Sequence, residues 1–294
     1  MKNPLKFLLP KKFRKSGKTI PVVRLEGMIT AKGSRFQSNL SLENCAALLE
    51  KAYDYKHAPA VALIINSPGG SPVQSRLIYQ RIRDLAREKE KKTLVFVEDV
   101  AASGGYMIAC AGDEIYADPS SVVGSIGVVS ASFGFPELLK KIGVERRVYT
   151  AGKNKVSLDP FQEEKPADIA HLKELQLQIH ETFINLVKAS RGARLSDDEN
   201  LFTGMFWTGI KGKELGLVDD LSDIRTVLKR RFGEKTKMEL VEAPRNFLGQ
   251  IKHEGAVRAA GVFGTASGGD LASQAINEAV LIAEERALLA RYGL

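Results

Sequence analysis

Ser103, in the run Asp99-Val-Ala-Ala-Ser103-Gly-Gly-Tyr106, and the two lysines of Gly152-Lys-Asn-Lys155 are the side chains whose types and spacing best suit chemistry. A hydroxyl is a poor nucleophile until a neighbouring base takes its proton, so a serine with a lysine in reach points to acyl transfer. That reaction also needs backbone N–H groups aimed at the oxygen that becomes negative. The Gly-rich run Asn66-Ser-Pro-Gly69-Gly70 can supply them, because glycine lets a backbone approach closely. One donor is expected near Gly69 and one at Gly104, directly after the serine. A phosphate-binding loop would use the same glycines, but neither run ends in Gly-Lys-Ser/Thr or forms Gly-x-Gly-x-x-Gly, so a nucleotide site is the weaker reading.

The base is narrowed by exclusion. The four histidines are His57, His171, His180 and His253, and none lies between Ser103 and Lys155. His171 and His180 fall on one long helical segment and read as ordinary, partly exposed side chains. A lysine can replace histidine only where burial favours its neutral amine. Lys153 and Lys155 share one loop, and the spacing alone leaves the choice between them open.

These residues need a scaffold, and the hydrophobic pattern describes one. Strands are expected at 20–25, 60–65 and 93–97, the second a continuous apolar run of the kind buried on both faces. Shorter strands are expected at 114–117, 127–129, 145–149 and 238–241. Helices are expected at 42–55, with Ser41 as its cap, at 74–90, 106–111 and 136–142, and over 166–191, closed by Gly192. Alternating strands and helices imply a mainly parallel sheet with right-handed crossovers. The stretch 255–270 has linker composition, and 271–291 returns to helical periodicity.

With 44% apolar and 27% charged residues the chain sits in the globular class. Its charge of +8 is concentrated at the start: Lys2, Lys6, Lys11, Lys12, Arg14, Lys15 and Lys18 account for seven positives, which leaves the remainder near neutral. Such a leader suits a solvated tail or an anionic membrane surface, whereas nucleic-acid binding lacks a motif. Phe7-Leu8-Leu9 is too short for a signal-peptide core, and no run approaches the length of a spanning helix, so the cytosol or the cytoplasmic face of a membrane is expected. Cys45 and Cys110 read as buried thiols in a reducing compartment.

Five ordered motifs then converge. Asn66-Ser-Pro-Gly-Gly70, Ala102-Ser-Gly-Gly-Tyr106, Gly124-Ser-Ile-Gly-Val128, Gly152-Lys-Asn-Lys155 and Leu215-Gly-Leu-Val-Asp219 together resemble the signal peptide peptidase A family over residues 20–228. The resemblance implies a crotonase-like (Clp protease-like) α/β fold of ββα units with a C-terminal helical extension. It implies a serine endopeptidase without metal or cofactor, acting on short, unfolded or membrane-derived peptides. By the same resemblance Ser103 is the nucleophile, Lys155 in Gly-x-x-Lys the general base, and Ser125 the hydroxyl that orients the lysine, with the oxyanion held near Gly69 and Gly104. Family members often form rings in which serine and lysine come from neighbouring protomers, so a homo-oligomer is expected. Many relatives also carry an N-terminal membrane anchor, where this chain shows the basic leader. The expected organisation is a leader at 1–19, a peptidase domain at 20–232, and a strand, flexible linker and C-terminal helix at 233–294 that serve oligomer contact. The rival readings are a crotonase-type enzyme acting on an acyl-coenzyme A, and an inactive membrane-associated scaffold.

Overall fold

A computed structural model describes residues 17–31 and 39–242, with positions 283, 286, 287 and 289–293 near the C-terminus. The basic leader up to residue 16 and the linker expected at 255–270 lie outside the described residues, as does His253.

The chain runs β1 (Thr19–Glu26), α1 (Leu42–Tyr53), β2 (Ala60–Ser67), α2 (Pro72–Glu88), β3 (Lys92–Ala102), α3 (Gly104–Ala109), β4 (Glu114–Ala117), β5 (Val122–Gly124) and α4 (Pro136–Lys141). It continues through α5 (Pro166–Arg191), β6 (Phe206–Thr208), α6 (Gly209–Glu214), β7 (Asp220–Leu221), α7 (Ile224–Phe232) and β8 (Lys237–Leu240). The strands form one sheet in the order β6-β5-β3-β2-β1-β8, with β4 beside β3 and β7 beside β4. Among the described residues only β5 and β6 pair antiparallel. This is the α/β, mainly parallel architecture of the Clp-like class.

Both faces of the sheet are covered, which is why β2 reads as an unbroken apolar run. Val61, Leu63 and Ile65 face a core shared with Leu49 of α1, Ile78 and Ile82 of α2 and Ile108 of α3. Ala60 and Ala62 face the opposite core, closed by Val227 and Leu228 of α7. Ser41 caps α1 by accepting from the Asn44 N–H at 3.3 Å. Ser71 caps α2 with Pro72 in the first turn, so that helix starts ahead of the position expected from its apolar stripe.

Three expectations are corrected. β3 continues past Val97 to Ala102, because Asn66 donates to the Asp99 carboxylate at 2.9 Å and accepts the Val100 N–H at 3.2 Å, which keeps a polar stretch in the ladder. No strand forms at 127–129. β5 lies earlier, and the positive φ of Gly124 (104°) and Ser125 (53°) ends the extended backbone there. Nor is 145–149 a strand: the segment is exposed, and no edge among the described residues pairs with it.

The Leu215-Gly-Leu-Val-Asp219 motif braces the fold. Asp219 accepts from buried Arg191 at 2.8 Å, from Arg194 at 3.2 Å and from the Ile115 N–H at 2.7 Å, tying the end of α5 to β4. Burial pushes the Asp219 carboxyl up, but these hydrogen bonds and the two guanidinium charges outweigh it and hold the group below the usual carboxylate range. A carboxyl lowered in the folded state stabilises fully above its unfolded value of about 3.9, and that stabilisation is lost as pH falls through the folded value. Asp219→Ala, which strands the Arg191 charge, is expected to cost about 3–5 kcal/mol at pH 7. The deficit should shrink toward pH 3, and urea unfolding at the two pH values reads both.

Candidate active site

β3 and β5 bring the two serines together. Their register places Ala102 opposite Gly124, so Ser103 and Ser125 are the next residues out on neighbouring parallel strands. The Ser103 N–H donates to the Gly124 carbonyl at 2.8 Å, which fixes that register at the strand ends. Ser103 has φ 50° and ψ −119° between β3 and α3, a conformation that L-residues adopt only under strain of about 1–3 kcal/mol. Such a turn lifts the hydroxyl away from the backbone. Gly105 makes the turn possible, because a Cβ there would collide with the Ser67 carbonyl oxygen of β2.

Ser103 and Ser125 line one cavity of about 680 Å³. Gly70 and Gly104 form part of its wall, and Met28, Met107, Val129, Ile179 and Phe183 make much of the rest apolar. Gly69 meets the serine turn from the other side: a Cβ built on it would sit 2.9 Å from the Gly104 nitrogen, from Ser103 Cβ and from the Ala102 carbonyl oxygen. The two backbone segments expected to donate to an oxyanion therefore converge on the serine. The Gly69 N–H itself lies 3.3 Å from Ser67 Oγ.

The Ser125 hydroxyl is buried and accepts from Tyr292 Oη at 3.2 Å. Tyr292 also packs edge-on against Phe206, with ring centroids 4.9 Å apart, and joins Val100 and Ala102 in a small apolar cluster. No pattern in the sequence pointed to Tyr292, since its role arises only from where the C-terminal segment lands.

Lys155 lies elsewhere in the single chain. It is exposed on the loop after Gly152, as is Lys153, and neither is among the residues lining the cavity. The arm that carries them is braced internally: Arg146 pairs with Asp159 and stacks over Phe161, and the Phe135 N–H donates to the Pro160 carbonyl at 2.6 Å. Among the histidines, His57 and His171 are exposed, and half-buried His180 bonds the Ile126 carbonyl at 2.9 Å. Burial pushes the thiols of Cys45 and Cys110 up to about 12, which removes both as nucleophiles at neutral pH.

The sequence profile of peptidase family S49 matches residues 85–237, a span that runs from the end of α2 through Ser103, Ser125, Lys155 and Asp219 to β8. The chain belongs to peptidase family S49. Within the family it is similar to a putative protease of Synechocystis, with 32% identity over 201 residues that cover 66% of this chain and 72% of that one. It is also similar to a putative signal peptide peptidase SppA of Enterococcus faecium, with 29% identity over 213 residues, 70% of this chain and 60% of the other. These matches make it an SppA-type member. A Brucella abortus protein named as a Na(+)/H(+) antiporter NhaA is 59% identical over 293 residues, which are 99% of this chain but 39% of that protein. The chain thus spans about two fifths of the length of its Brucella relative. Among the described residues, no helix is long and apolar enough to cross a membrane.

Proposed function

We propose that this S49 chain is a serine endopeptidase that works through Ser103 and a Lys155 supplied by a second copy of the chain. The observation that carries the reading is the strained Ser103 beside Ser125 at the ends of paired strands, both opening on one apolar-walled cavity. Ser103 Oγ attacks the peptide carbonyl while the neutral amine of Lys155 takes its proton. The carbonyl oxygen becomes an oxyanion beside the Gly69 and Gly104 backbone. The lysine ammonium then protonates the leaving amine, and the C–N bond breaks to leave an ester on Ser103. Water, deprotonated by the same lysine, attacks the ester and releases the acid.

Ser125 suits the orienting role. Having accepted from Tyr292 with one lone pair, its Oγ keeps the other to accept an N–H of the neutral lysine, which leaves the amine's own lone pair aimed at the Ser103 proton. The apolar wall supports substrates with small or apolar side chains near the cleaved bond, presented by unfolded or membrane-derived peptides. The basic leader supports a place at the cytoplasmic face of a membrane, which flotation with anionic vesicles would read.

A second copy is supported by the arm that holds Lys155. Phe133 is 80% exposed and Tyr149 is 89% exposed, and Leu138, Ile142 and Val144 on the same arm are also uncovered. Apolar side chains gathered in this way mark an interaction surface. Ser103→Ala and Lys155→Ala proteins, each silent alone, are expected to regain peptidase activity when mixed under conditions of verified subunit exchange. Failure to regain it would refute a dyad shared between copies.

A further inference from the structure

We propose that His180 is a positioning residue, which holds the Gly124-Ser-Ile-Gly127 loop in the geometry that turns Ser125 toward the cavity. The inference rests on the reading of Ser125 as the group that orients the lysine.

Ser125 is a non-glycine residue at φ 53°, a backbone conformation that L-residues hold only when their surroundings impose it. Its N–H donates to the Met205 carbonyl at 2.7 Å, and its own carbonyl accepts the Gly127 N–H at 3.0 Å, closing a tight turn around Ile126. That turn directs the Ile126 carbonyl toward α5, where His180 Nε2 meets it at 2.9 Å. A carbonyl only accepts, so Nε2 carries the proton, and both the neutral tautomer with Nε2–H and the imidazolium can make the bond. The loop is thereby held by β3 through Gly124, by the residue before β6 through Ser125, and by α5 through Ile126.

The helix that supplies the third tie is itself well anchored. Phe183, Val187 and Arg191 of α5 are buried, and Ser190 Oγ donates to the Cys110 carbonyl at 2.6 Å. Earlier in the helix, Leu175 and Leu177 are exposed. His180 therefore sits where the fixed part of α5 begins, one residue from Ile179, which lines the cavity. The His180 ring does not line that cavity. It borders a second hollow of about 250 Å³ with Val128, Lys173, Gln176 and Leu177; Val128 lines both, and His180 meets the serine loop at the Ile126 carbonyl.

The test compares His180→Leu, which removes the donor, with His180→Gln, whose amide nitrogen can reach the same carbonyl. Hydrolysis of an apolar fluorogenic peptide, thermal melting and oligomer mass are measured on the full chain. His180→Leu is expected to lower kcat about ten- to a hundred-fold, the scale of a misplaced orienting group, with KM unchanged within about two-fold. His180→Gln should recover most of the loss. Amide hydrogen exchange of the 124–127 segment gives a readout that needs no activity, and should quicken in His180→Leu and return toward wild type in His180→Gln. Unchanged exchange in His180→Leu overturns the inference, as does equal impairment of the two variants or a change confined to KM. A wild-type assembly that neither cleaves peptide nor takes a fluorophosphonate on Ser103 would sink the peptidase reading instead, and exchange would still decide whether His180 holds the loop.

Discussion

Alanine at Ser103 or at Lys155 is expected to lower kcat for an apolar peptide by about four orders of magnitude or more, and alanine at Lys153 to leave it within about two-fold. The size follows from the division of labour. Without the lysine the serine keeps its proton, and without the serine no acyl-enzyme forms, so either loss removes the same pathway and the double variant should be no worse than either single one. Lys153 is the internal control: it shares the exposed loop with Lys155 and differs only in its place within Gly152-Lys-Asn-Lys155. The strain at Ser103 gives the series a second readout. Glycine tolerates φ 50° and ψ −119° without a side-chain clash, so Ser103→Gly should lose activity yet melt no lower than Ser103→Ala. Full activity in Lys155→Ala with loss in Lys153→Ala would reassign the base. Activity surviving in Ser103→Ala would remove the nucleophile from the mechanism.

The scaffold was legible wherever burial leaves a periodic mark. β2 shows as a continuous apolar run because α1 and α2 cover one face and α7 the other, and α5 shows its repeat although Phe183, Val187 and Arg191 are its only buried residues. β5 left no such mark. It is three residues long and exists because β3 and β6 flank it, so its place depends on pairing and not on its own composition. The serine turn could be found because a strand, a nucleophile and two glycines are adjacent in sequence. The His180 tie could not, since it joins a side chain to a carbonyl 54 positions away. The lysine stands between these cases. A motif marks Lys155, yet the folded single chain leaves it outside the cavity, and the burial a base requires is a property of whatever covers the arm.

Gly69→Ala is expected to lower kcat by about a hundred- to a thousand-fold while the chain still folds, the scale of losing one oxyanion donor. Gly69 has φ 106°, where a side chain is strained, and its added Cβ would lie 2.9 Å from the Gly104 nitrogen and the Ala102 carbonyl oxygen. Those atoms are backbone, so relief must come from the two segments moving apart. That movement separates the N–H groups that have to converge on a single oxygen. The Gly69 N–H is already poised for release: its 3.3 Å contact with Ser67 Oγ is long, and the Ser67 hydroxyl donates to the Gly27 carbonyl at 2.7 Å, so an oxyanion would be the stronger acceptor. Gly233→Ala separates conformational strain from displacement of the site. Gly233, between α7 and β8, has φ 102° but nothing within 4 Å of an added Cβ, so that variant should lose stability and keep kcat. Both proteins are read by melting temperature and by kcat at saturating peptide. A Gly69→Ala protein that melts lower but turns over at the wild-type rate would show that the reacting carbonyl lies away from the Gly69 loop, and the oxyanion would then have to be held by the serine turn alone.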